Sequence, residues 1–159
     1  MIKEKIYSRE ALVALLEGWK LKGDKIVFTN GVFDLLHRGH IDYLCKARDC
    51  GQRLVVGVNA DASVKMLNKG GSRPIQDENS RALIIAALHV VDAVTLFSEE
   101  TPYDLIKALE PDVLVKGNDY KVEQIAGHEL VLKRGGEVKL IELAQGYSTT
   151  AIEKKIKGA

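Results

Sequence analysis

Ile26-Val27-Phe28-Thr29-Asn30-Gly31-Val32-Phe33-Asp34-Leu35-Leu36-His37-Arg38-Gly39-His40 is the stretch whose reading decides the fold. It opens as an apolar run with strand character, turns at Gly31 and runs into a helix-like segment expected over His40 to Cys50 and ended by Gly51. Two histidines with a glycine between them therefore stand where a strand hands over to a helix. The first turn of a helix has N–H groups without intrahelical acceptors and a partial positive charge, so such a place suits phosphate. Two imidazoles there can add donors to phosphate oxygens, and Gly39 has no side chain to keep a phosphate from the backbone. With four His and fourteen Gly in 159 residues, a chance His-x-Gly-His is expected roughly 0.01 times.

Working outward, the chain alternates strands and helices. Ser8 caps a helix with Leu12, Leu15, Leu16 and Trp19 at helical spacing, stopped by Gly23. Strands are expected over residues 25–30, 53–59, 93–97, 112–116 and 137–143. Helices are expected over 61–67, 77–89, 122–133 and 149–157, with another opened by Thr101-Pro102, where proline suits the first turn. This order predicts an α/β, Rossmann-like, doubly wound five-stranded parallel sheet with right-handed crossovers, preceded by an N-terminal helix. We read one domain over 1–159, with 1–23 a helical extension and 24–159 the core. Ligands in such sheets bind beyond the carboxyl ends of the strands, where strand order reverses. The distinctive loops all follow strands and should share that face.

Bulk properties narrow the class. The apolar share of 46% and charged share of 28% are those of a globular chain, and a net charge of +1 gives no field to recruit nucleic acid or an anionic membrane. No apolar stretch reaches the length of a membrane span, and the first residues lack a signal peptide's apolar region. Cys45 and Cys50 lie five apart in one expected helix, poorly placed for a disulfide, which suits a reducing cytoplasm.

Several further groups are candidates for the same chemistry. Backbone N–H groups around Gly31, Val32 and Phe33 can face phosphate, and Asp34 can orient a histidine, reach a hydrated Mg²⁺ or simply cap the turn. Gly146-Tyr147-Ser148-Thr149-Thr150 precedes the last helix, where hydroxyls and unpaired N–H groups can hold terminal phosphates or serve only as a cap. Lys65, Lys69, Arg73 and Arg81 surround a glycine-rich segment, 68–74, expected to be a mobile loop, and can neutralise a triphosphate and an acceptor phosphate. Asn59, closing the second strand, and Gly117 and Asp119, after the fourth, complete the nucleotide-binding candidates; Asp119 can reach a base, a ribose or a metal. A zinc site at His37 and His40 is an alternative, although no Cys or acidic residue stands at a matching spacing. His89 and His128 read as structural.

Together these residues resemble the HxGH nucleotidyltransferase superfamily, in its cytidylyltransferase-like branch, from about Lys25 to Lys157. The resemblance is carried by Gly31-Val32-Phe33-Asp34-x-x-His37-x-Gly39-His40, Glu78-x-x-Arg81 and Gly146-Tyr147-Ser148-Thr149-Thr150-Ala151-Ile152. Within the branch, Arg73-Pro74-Ile75, Val91-Asp92 and Pro111-Asp112-Val113-Leu114-Val115-Lys116-Gly117-x-Asp119-Tyr120 are most similar to the D-glycero-β-D-manno-heptose 1-phosphate adenylyltransferases. The resemblance implies ATP, a sugar 1-phosphate and Mg²⁺ as reactants and cofactor, ADP-heptose for lipopolysaccharide or related glycans as product, and a homodimer. It implies that His37 and His40 stabilise the transition state, that Ser148 to Thr150 hold pyrophosphate, and that Lys69, Arg73 and Arg81 assist the phosphates. It places Gly117 and Asp119 by the nucleoside. Many relatives are fused to a sugar kinase, so a separate kinase would supply the substrate. Glycerol-3-phosphate cytidylyltransferases are similar but carry Arg-Thr-Glu-Gly where this chain has Leu143-Ala144-Gln145-Gly146. A non-catalytic nucleotide-binding domain is the alternative from another class.

Overall fold

The computed structural model describes residues 1–67 and 71–158. Five strands form one parallel sheet in the order β3-β2-β1-β4-β5. They are β1 (Ile26–Gly31), β2 (Arg53–Asn59), β3 (Ala93–Phe97), β4 (Val113–Gly117) and β5 (Glu137–Ile141). The helices are α1 (Arg9–Leu21), α2 (Arg38–Arg48), α3 (Asp61–Met66), α4 (Glu78–Ala86), α5 (Tyr103–Leu109), α6 (His128–Lys133) and α7 (Thr149–Lys157). Strand order runs outward in one direction from β1 through β2 to β3 and in the other through β4 to β5. The reversal lies between β1 and β4, which pair at Val27 with Val113 and Phe28 with Leu114. A crevice opens above such a point because the flanking crossovers leave in opposite directions.

β1 to β4 are largely buried because helices cover both faces of the sheet, whereas β5 at the edge carries Glu137 and Lys139 and is buried only at Ile141. Alternation along β1 sends Val27 to one face, with Tyr43, Leu44 and Ala47 of α2 and Ala82, Ile85 and Ala86 of α4. Ile26 and Phe28 go to the other, with Leu12 and Leu16 of α1 and Leu105, Ile106 and Leu109 of α5. The first helix therefore supplies core, and the residues before it join the sheet through a bridge from Ile6 to Val94. The Ala82 to Leu88 stretch, which suits either core or a subunit contact, puts Ala82, Ile85 and Ala86 in the core. No helix of the described residues is long and apolar enough to cross a membrane. Cys45 and Cys50 are both free thiols.

Several strand and helix ends shift by one or two residues from the sequence expectations, β5 ending at Ile141 rather than 143, and four differences go further in kind. The helix expected from His40 begins at Arg38, because His37 is extended (φ −140°, ψ 170°) and its carbonyl already accepts from His40 and Ile41. The segment 122–133 splits into a short 3-10 turn and α6 at Gly127, whose φ of +81° no helix can continue through. Pro102 is the N-cap of α5, one residue before its first turn, and α4 ends at Ala86, three residues before His89.

A buried polar cluster ties the reversal point to α2. The Thr29 and Tyr43 hydroxyls lie 2.7 Å apart, and both are within 3.1 Å of the Val115 carbonyl oxygen. Whichever hydroxyl donates to the other, the remaining hydrogen goes to Val115. Burial raises the Tyr43 pKa well above its ordinary value, so the phenol stays a donor. Thr29→Val removes one hydroxyl with no change of shape and should cost about 1–2 kcal/mol, read as a lower urea midpoint at unchanged m. An unaltered midpoint would show the cluster contributes nothing.

Candidate functional site

A cavity of about 640 Å³ opens at the carboxyl ends of β1 and β4, above the reversal of strand order. It is lined by the β1–α2 turn (Asn30 to Asp34, His37, Gly39, His40), by Lys116, Gly117, Asp119 and Tyr120 after β4, and by Leu143, Ala144 and Tyr147 to Thr150 after β5. Tyr43, Val64 and Arg73 close it. A second cavity of about 460 Å³ lies at the opposite, amino end of the sheet and is lined largely by ion-paired side chains such as Lys25, Glu137 and Arg134. It has none of the loops that follow strands.

The histidines are set by the start of α2. His37 is its N-cap and His40 sits one turn on, so their rings stack with centroids 3.8 Å apart at 21°. A Cβ on Gly39 would come within 3.0 Å of the His37 ring and of Tyr147 Cβ, so only glycine lets the ring and the β5–α7 loop meet. His37 Nδ1 is buried with no hydrogen-bond partner among the described residues. Burial holds the His37 pKa below its ordinary 6.5. Stacked rings also disfavour two positive charges, so near neutrality His37 is a neutral donor, and an anion beside it would favour its taking a proton from water. Among the described residues, no group of three or more His, Cys, Asp or Glu side chains could hold a metal ion, which leaves the zinc alternative without a ligand set.

Phe33 adopts φ +51°, a left-handed backbone that a bulky residue rarely takes. Arg81 holds the turn by donating to the Val32 carbonyl at 2.8 Å, and Gly31 leaves room for the ring, since a Cβ there would meet it at 3.0 Å. Phe33 in turn meets the His40 ring edge-on at 5.3 Å. On the far wall, Ser148 caps α7 by accepting from Ala151 N–H at 3.0 Å. The N–H groups of Thr149 and Thr150 thus remain without intrahelical acceptors beside the cavity, and Arg38 donates to the Tyr147 hydroxyl at 3.3 Å. Gly146 precedes them at φ +82°.

Not every candidate reaches the cavity. Arg81, expected to help phosphates, is fully buried, with its guanidinium donating to the carbonyls of Gln76, Val32 and Asn59 and to the Asp61 carboxylate. It positions the β1–α2 turn from below. Asn59 is buried as well, its amide donating to Ser63, so it does not line the cavity. Lys65 is exposed on α3 outside the lining. Asp34 lines the cavity, but its buried carboxylate accepts from Ile75 and Gln76 N–H at 2.9 Å and from Arg73 at 3.4 Å, which makes it an anchor for the following loop. Arg73 reaches the cavity and pairs with Glu153 of α7 at 2.6 Å. Lys69, with Asn68 and Gly70, lies outside the described residues, so its expected phosphate role and the mobility expected of that loop rest on the sequence. Gly117 is buried against Asp119 and Leu143, and Asp119 is exposed at the rim. His89 is exposed away from the cavity, and His128 contacts the Ile125 carbonyl.

Asn30 and Lys116 line the cavity without having been singled out. Their signal was available: each is a polar residue at the carboxyl end of an otherwise apolar strand, where side chains meet the ligand space.

A sheet reversal crowned by paired histidines and a capped helix start defines a doubly wound α/β domain with its cavity at the carboxyl ends of the strands. Residues 28–155 match the family model described as cytidylyltransferase-like, and the chain belongs to that family. It is 52% identical over 157 residues to "Bifunctional protein HldE" of Wolinella succinogenes, covering 99% of this chain and 32% of that one. It is 54% identical over 144 residues to the protein of the same name from Nitrobacter winogradskyi, covering 91% and 29%. The chain thus spans about a third of the length of these relatives. The solved structure titled lipopolysaccharide core biosynthesis protein from Thermoplasma volcanium superposes with TM-score 0.63 at 35% identity, over 79% of this chain and 100% of that one. A pantoate-β-alanine ligase from Francisella tularensis, 17% identical, shares the fold at TM-score 0.63 over 96% of this chain and 76% of that one.

Two measurements check this geometry. Arg81→Leu leaves buried carbonyls without a donor and should cost about 3 kcal/mol or more in denaturant unfolding; a loss within surface-mutation range would remove Arg81 from its positioning role. His37 should titrate below 6.5 by NMR in the free protein. Above pH 6.5 both folded and unfolded states hold it neutral. As pH falls from 6.5 to the folded pKa, the unfolded state binds the proton first and stability drops. His37→Asn should flatten that part of the pH profile.

Proposed function

We propose that the chain is a nucleotidyltransferase that moves the adenylyl group of ATP to the phosphate of a sugar 1-phosphate, D-glycero-β-D-manno-heptose 1-phosphate, releasing pyrophosphate. The observation that carries the reaction type is the stacked His37–His40 pair and the α7 start lining one cavity above the sheet reversal. The sugar is supported by the lipopolysaccharide title of the Thermoplasma structure and by the motif resemblance around Arg73 and Lys116-Gly117-x-Asp119-Tyr120.

An acceptor phosphate oxygen attacks the α-phosphorus, a new P–O bond forms, the bond to the α,β-bridging oxygen breaks, and pyrophosphate leaves. The acceptor oxygen is already anionic, so no general base and no covalent enzyme intermediate is required. Negative charge grows on the equatorial α-phosphate oxygens, where His37 and His40 are already fixed as donors, and on the leaving pyrophosphate, where the N–H groups of Thr149 and Thr150 await it. Donors placed before the reaction stabilise the transition state without reorganising. Gly39 lets the phosphate approach the backbone. Magnesium fits as an ion carried in by the triphosphate, since such ions need only one or two carboxylates. Asp119 at the rim is the carboxylate to hold it, because the loop already engages Asp34. The ion's part would be charge neutralisation on the phosphates.

Pyrophosphate release from ATP and CTP against heptose 1-phosphate and glycerol 3-phosphate tests the reading. ATP with the heptose phosphate should be the preferred pair. Preference for CTP would overturn the sugar-nucleotide assignment, and nucleotide binding without turnover on any acceptor would overturn the enzyme. His37→Ala and His40→Ala should each lower kcat by at least about 10²-fold with little change in thermal midpoint; near-normal turnover in both would end this mechanism.

A further inference from the structure

The residues lining the cavity come from both faces of the sheet. His37 and His40 belong to the start of α2, whose core residues pack with Val27 and Val115. Lys116 follows Val115, and alternation turns it to the other face, where Leu114 packs against α1 and α5. There its Nζ donates to the Asn30 carbonyl at 3.3 Å and lies 5.4 Å from the Tyr120 ring centroid. Asn30 shares that face of β1 with Phe28, and its Oδ1 is buried without a donor among the described residues. A buried acceptor left unmatched is costly, and a hydroxyl-bearing ligand would satisfy it.

The proposed transfer brings two anions together, and each needs its own positive partner. The donor's phosphates have the histidines and the α7 start, which are neighbours through Gly39 and Tyr147. Arg73 already faces the carboxylates of Glu153 and Asp34. Lys116 is the other lysine or arginine among the described lining residues, and alternation along β4 sets it on the sheet face away from α2 and its histidines. That separation is what in-line displacement asks for, with the nucleophile entering on one side of the α-phosphorus and pyrophosphate leaving on the other.

We propose that Lys116 binds the phosphate of the acceptor and that the Asn30 amide receives one of the acceptor's hydroxyls. Naming this anion the acceptor rests on the nucleotidyltransferase reading; the sugar's identity does not enter.

The test loads the protein with the non-hydrolysable α,β-methylene analogue of ATP and titrates inorganic phosphate by calorimetry. Wild type should bind phosphate saturably. Lys116→Met should bind it at least about tenfold more weakly, with analogue affinity kept within about twofold, and Lys116→Arg should restore most of the binding. Lys116→Gln carries the same comparison should the Met variant not fold. Equal phosphate affinity in wild type and variant overturns the assignment. So does an equal loss of analogue affinity, which would put Lys116 on the donor, or the absence of saturable phosphate binding by the loaded wild type. Asn30→Ala should raise KM for heptose 1-phosphate by about tenfold and leave phosphate affinity unchanged; losing both alike removes Asn30 from hydroxyl recognition. A wild type that makes no ADP-heptose rejects the sugar while the phosphate titration still judges Lys116.

Discussion

The site depends on a guanidinium that water does not reach. Arg81 holds the Val32, Asn59 and Gln76 carbonyls and the Asp61 carboxylate, so one side chain joins the turn after β1, the end of β2 and the loop into α4. Lysine could not replace this, because only the planar fork presents several donors in fixed directions. From Val32 the constraint passes to Phe33, held left-handed, and from Phe33 to the edge of the His40 ring. Asp34 then fixes Ile75 and Gln76, and Arg73 reaches Glu153 on α7. Charge-assisted hydrogen bonds of Arg81, Asp34 and Arg73, joined by the backbone of the turn and the Phe33–His40 ring contact, thus link the core of the sheet to both walls of the cavity.

Much of this was legible in the sequence. The five strands and the histidine pair followed from apolar runs and from glycine and serine punctuation, because local periodicity and capping decide those features. Residues such as Arg81 and Asp34 were harder. A charged residue beside a phosphate motif looks the same in sequence whether it meets the ligand or the backbone that meets the ligand. Only tertiary packing separates the two, and here it turns Arg81, Asn59 and most of Asp34 inward. Lys116 was overlooked for the converse reason: it closes an apolar strand, and its nearness to Asn30 depends on β1 and β4 being neighbours though 86 residues separate the pair.

The stacked histidines show how a site can be prepared for charge without holding it. Two rings at 3.8 Å resist double protonation, and burial keeps His37 neutral in the free protein. In the proposed reaction a phosphate arriving between them and α7 would change the local potential and favour the protonated form. The positive charge would then be created where and when negative charge arrives, which spares the free protein a buried repulsion.

Helix α7 buries none of its side chains completely. It is fastened by Arg73 to Glu153, by Thr149 to the Leu35 carbonyl, and through the Arg38–Tyr147 contact just before it. Segments fastened by polar contacts open locally at a smaller free energy than the core, and ion pairs near the surface weaken as salt shortens the Debye length. The wall that would receive the leaving group in the proposed reaction is therefore held less deeply than the sheet beneath it. Ionic strength would then act on its hold over a product without touching the sheet or the histidines, a release step separable from the stability of the core.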